Sequence, residues 1–156
     1  MESKFVQPFV DATIKVLETM AFVTPQHEET CLCEKGHSAG EVIGIVGLAN
    51  EDKNIKGFMS IGFSEKSIIH VVSCMFGEEF TSVNEEVSEA VGEIANMISG
   101  QARQQLSKME IKLQAAIPSI IKGKNLDLKG KNPIIVIKFK VDSGPFELGI
   151  CMEGMD

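Results

Sequence analysis

Glu93 and Asn96 stand three residues apart in a stretch that reads as one amphipathic helix, Val83 to Lys108. At about 100° per residue, Val87, Val91, Ile94, Ile98, Ala102 and Gln105 share one narrow sector, apolar but for the last, and that is the face a helix buries. Glu86, Glu89, Glu93, Asn96, Gly100, Arg103 and Ser107 gather opposite. A carboxylate and a carboxamide at this spacing are neighbours, both able to reach outward. The pair is either a reaction centre or part of a solvated face. Neither group is a strong nucleophile, and no histidine base or metal-ligand cluster lies close in sequence. The chemistry open to such a pair is completion of a site that another molecule supplies.

The surrounding residues, Glu89-Ala90-Val91-Gly92-Glu93-Ile94-Ala95-Asn96-Met97-Ile98-Ser99-Gly100-Gln101-Ala102, resemble the signature helix of the CheC/CheX/FliY family of chemotaxis phosphatases. The resemblance extends over nearly the full chain. The segment from Pro8 to Met20 is similar to the first helix of the CheX branch, and Ile117 to Gly123 to the strand and turn after the signature helix. Family members often carry Asp or Ser where Glu89 stands, and the stretch from Asn96 to Pro118 is about one residue shorter than the commonest spacing. CheC-type members repeat Glu-x-x-Asn in the first helix, which this chain does not, so one active centre is expected.

The resemblance implies an α+β fold, an antiparallel sheet packed with two long helices, and a homodimer formed through that sheet. It implies as substrate the phosphorylated response regulator CheY, whose own site holds the aspartyl phosphate and Mg2+. What that site lacks is an ordered water. A carboxamide donates and accepts at once, so Asn96 is expected to hold the attacking water, while Glu93 pairs with a lysine at the phosphate. Glu89, Gly100 and Arg103 are expected to contact the partner. Glycine costs a helix about 1 kcal/mol relative to alanine. At Gly100 the missing side chain would admit the partner; at Gly92 close packing of helix on sheet is an equal reading. The rival class is a non-catalytic regulator-binding module of the flagellar-switch type.

Composition narrows the field. The 156 residues, 44% apolar, suffice for one domain with a core, expected over residues 1–156. No apolar run approaches the roughly 20 residues of a membrane span, and Met1-Glu2-Ser3-Lys4 is unlike a signal peptide, so a cytoplasmic location is expected. A net charge of -7 argues against nucleic acid. Cysteines 31, 33, 74 and 151 form no C-x-x-C pair, which suits a reducing compartment. His27, Cys31, Cys33 and His37 share strand parity, yet an extended strand would part the outer two by about 33 Å. The expectation is therefore an edge strand, no metal site and no cofactor of the chain's own. His70 reads as a packed side chain.

The elements follow from periodicity and punctuation. Phe5, Phe9, Ala12, Val16 and Met20 form one stripe of the first helix, and Val10, Ile14, Leu17 and Ala21 another. Glu41 to Leu48 and Ile55 to Phe63 read as strands around a polar turn. Ser64 caps a helix that Gly77 ends, and Ser82 with Glu85 has capping-box spacing before the signature helix. Short strands are expected near Lys112 to Ala116, Asn125 to Lys129, Pro133 to Val141 and Phe146 to Met152, as an antiparallel meander. This order is α+β.

Overall fold

The computed structural model describes residues 3–34, 40–124, 126, 128, 130 and 132–155. Helix α1 (Ser3–Ala21) leads into strand β1 (Gln26–Cys33), then β2 (Val42–Asn50), a single 3-10 turn (Glu51–Lys53) and β3 (Ile55–Phe63). Helices α2 (Glu65–Phe76) and α3 (Glu85–Lys108) follow, and then β4 (Gln114–Ala115), β5 (Ser119–Lys122), β6 (Ile134–Val141) and β7 (Gly144–Glu153). The expected α+β class holds.

The strands form one antiparallel sheet in the order β1-β6-β7-β3-β2-β4, with β5 also paired to β2. It is not the sequential meander expected, because β4 and β5 both pair with β2, with β3 and β7 between them and β6. Residues 146–152 of β7 are all buried, as suits a strand covered on both faces, whereas β1 is mostly exposed and forms one edge. The expected strand from Asn125 to Lys129 falls partly outside the described residues.

The three helices cover one face. Helix α3 lies on β2 and β5, α2 on β7 and β3, and α1 packs against α3 and α2. Phe63, Phe146 and Phe139 occupy one cross-strand row of β3, β7 and β6, stacked with ring centroids 5.0 and 5.1 Å apart. His27 extends that row into β1, 5.5 Å from Phe139. Both stripes of α1 are largely buried, which explains why that helix is apolar on two sides.

Local signals set the helix ends. The N–H of Ser67 donates to Ser64 Oγ, and Gly77 closes α2 with φ 65°, a left-handed conformation glycine adopts without strain. At α3 the cap is Asn84, whose Oδ1 accepts from the N–H of Val87 at 3.0 Å. Ser82 instead gives its carbonyl to the N–H of Asn84, so the helix starts at Glu85 rather than Val83. The buried seam of α3 ends on Leu106, and Gln105 is exposed. Burying its amide there would cost hydrogen bonds that the neighbouring leucine does not need.

Candidate active site

Helix α3 sends Val87, Val91, Ile94 and Ile98 into the core and leaves Glu86, Glu89, Glu93 and Asn96 exposed. One interior residue fixes its height above the sheet. Gly44 of β2 lies under the helix, where an added Cβ would come within 3.2 Å of Val91 and 3.3 Å of Ala95. The tight helix-on-sheet contact is thus made by Gly44. At Gly92 a Cβ would meet only Ile120, at an ordinary 3.5 Å.

Glu89, Gly92, Glu93 and Asn96 form one wall of a shallow open groove of about 530 Å3. The rest of its lining is apolar: Ala115, Ala116, Ile117, Pro118 and Ile120. Glu93 and Asn96 make no side-chain hydrogen bond to another described residue, so their polar atoms are available to an incoming group. The groove is open enough to admit a protein loop. Gly100 and Arg103 continue the same helix face beyond it. A Cβ on Gly100 would meet only the Arg103 guanidinium, at 3.9 Å, and Arg103 Nε donates to Ser99 Oγ at 3.2 Å.

The apolar wall was absent from the sequence-based site. It exists because β4 and β5 both pair with β2 but out of step: β2 runs three residues from Leu48 to Ile45 while the outer chain takes four from Ala115 to Ser119. The surplus residue pushes the chain outward, as a β-bulge does. Nothing local in Ala115-Ala116-Ile117-Pro118 encodes that register.

The cysteine and histidine cluster breaks up. A register shift between His27 and Glu29 places His27 opposite Phe139 on the helix-covered face, while Cys31 and Cys33 pair with Val136 and Ile134, whose side chains cluster on the other face. Shared parity therefore fails at the bulge. Cys31 Sγ and Cys33 Sγ lie 3.6 Å apart, and burial together with this contact pushes the Cys31 thiol up from its ordinary range. His37 lies outside the described residues, among which no three metal-ligating side chains converge. His70 is half-buried, with Nε2 3.8 Å from Cys74 Sγ.

An antiparallel sheet under three helices, the longest exposing an acid and an amide over a groove, defines a CheC-like domain. A CheC-like superfamily protein from Shewanella sp. PV-4 superposes with a TM-score of 0.91 at 32% identity, over 98% of this chain and 99% of that one. The chain belongs to the chemotaxis phosphatase CheX family, which matches residues 42–140. The CheY-P phosphatase CheX of Thermotoga maritima is 24% identical over 147 residues, 92% of this chain and 91% of that protein. The CheX of Borrelia burgdorferi, solved in a complex with CheY, BeF3 and Mg2+, is 25% identical with a TM-score of 0.76, over 96% and 97% of the two chains.

Proposed function

We propose that this chain is a chemotaxis phosphatase that hydrolyses the aspartyl phosphate of a CheY-type response regulator, with Glu93 and Asn96 inserted at the regulator's phosphorylation site. The observation that carries this reading is the pair itself: an acid and an amide, exposed, without side-chain partners among the described residues, on the wall of a groove that a protein loop can enter. The likeness to the Thermotoga phosphatase and to the Borrelia complex supports it.

The regulator brings the electrophile and Mg2+; this chain brings order. Asn96 accepts a hydrogen bond from a water and holds its oxygen in line with the phosphorus. The water's oxygen bonds to phosphorus as the bond from phosphorus to the aspartyl oxygen breaks, releasing inorganic phosphate and the free carboxylate. Glu93 pairs with a lysine of the regulator at the phosphate and fixes the docking geometry. One aligned polar group of this kind supplies roughly 10²- to 10³-fold in rate.

The same reading makes the protein cytoplasmic and a homodimer joined through its sheet, where β1 leaves an edge to be covered. No helix among the described residues is long and apolar enough to cross a membrane. Light scattering at micromolar concentration is expected to give twice the 17.0 kDa of one chain; the mass of a single chain would contradict the dimer. The phosphatase reading is tested by phosphate release from a phosphorylated CheY-type regulator with and without this protein. Acceleration is the expected result. Binding of the phosphorylated form with no acceleration would instead establish a non-catalytic interaction module.

A further inference from the structure

Ile117 is 89% exposed, the most exposed of the large apolar side chains described, and it lines the same groove as Glu93 and Asn96. Scattered apolar side chains on a surface are ordinary. This one is presented by a rigid mount. Just before it, the N–H of Ala116 donates to the Gly47 carbonyl at 2.9 Å; just after it, Ser119 pairs with Ile45. Pro118 fixes the backbone between and has no N–H to leave unsatisfied. The surplus residue in the outer chain turns Ile117 away from the core, although Ile120, three residues on, packs back against it.

We infer that Ile117 is an apolar anchor for the response regulator, seating in a recess beside its phosphorylation site and setting affinity while Asn96 sets the rate. The inference rests on the proposed phosphatase reading and extends it to partner binding. In a doubly wound receiver the reactive end of the sheet is ringed by loops, and a protein that reaches a group there must also rest on that rim. The pair on α3 and the tip at Ile117 line one and the same groove, so a loop that fills it to reach Asn96 also meets Ile117. An anchor already held in place loses little conformational freedom on binding, which makes a single side chain effective.

Calorimetric titration with a CheY-type receiver domain loaded with Mg2+ and beryllofluoride tests this. Ile117→Ser is expected to weaken binding about 10- to 100-fold, the range for withdrawing one buried aliphatic side chain, and Ile117→Leu to restore most of it. Phe76→Ser serves as the control: Phe76 is also apolar and 53% exposed, but it ends α2, outside the lining of the groove, and it is expected to leave affinity unchanged. At saturating phosphorylated regulator, Ile117→Ser is expected to turn over at the wild-type rate, with the loss confined to KM. Unchanged affinity in Ile117→Ser, or an equal loss in Phe76→Ser, would overturn the anchor. If the wild type binds but releases no phosphate while Ile117→Ser still loses affinity, the anchor stands and the phosphatase reading falls.

Discussion

Gly44 sits directly beneath Val91, so close that a methyl group placed on the glycine would lie 3.2 Å from Val91 Cγ1. The helix bearing Glu93 and Asn96 therefore rests on bare strand backbone, and its distance from the sheet is set by a residue with no side chain. The height of the acid and amide above the groove floor follows from that contact.

Gly44→Val is expected to push α3 off the sheet. Overpacking of this kind costs about 1 to 3 kcal/mol, or several degrees of melting temperature for a chain of this size. Because the displaced helix carries the site, phosphate release well below the melting temperature should fall as well. An unchanged melting temperature would show that α3 does not depend on this contact.

Gly100→Arg separates a docking surface from a merely solvated one. A Cβ at this position meets no described side chain but Arg103, and arginine is the better helix former, so stability should rise by up to about 1 kcal/mol. If the face one turn beyond Asn96 accepts a partner, activity should fall about tenfold or more as the long side chain misplaces it. Melting temperature and phosphate release from the same preparation decide between the two, and raised stability with full activity would exclude Gly100 from the docking face.

Glu93→Ala should leave the fold intact, since the carboxylate is exposed and bonds to no described side chain. Removing a charge-assisted contact to the regulator should raise the concentration needed for half-maximal rate by roughly 10- to 100-fold. A concentration dependence identical to the wild type would remove Glu93 from docking.

What could be read from the chain alone was whatever depends on neighbours along it. The outward face of α3 follows from a period of 3.6 residues, and Glu89, Glu93 and Asn96 emerge where that period puts them. The boundary of the face slipped only at Gln105 and Leu106, which flank the seam. There the polar residue turned outward and the leucine inward. The capping-box spacing points to Ser82, whereas the cap is Asn84, whose side chain accepts from the N–H of Val87.

What could not be read depends on strands far apart in sequence. The bulge that sends His27 to the helix-covered face and Cys31 to the other is a property of the pairing between β1 and β6. Ile117 became visible as part of the groove only once β4 and β5 were seen out of step on β2. Gly92 drew attention in the helix because helical glycines are costly, while the glycine that matters for packing, Gly44, lies in a strand whose neighbours the sequence does not name.

The role proposed for Asn96 is to position the water that attacks the regulator's aspartyl phosphate. It is tested most directly by Asn96→Ala in a phosphate-release assay at saturating phosphorylated CheY-type regulator, with binding and melting temperature recorded on the same sample. The expected maximal rate is lower by roughly 10²- to 10³-fold, with affinity and stability close to wild type, because the exposed amide contributes to neither the core nor a described hydrogen bond. A variant that releases phosphate as fast as the wild type would contradict it.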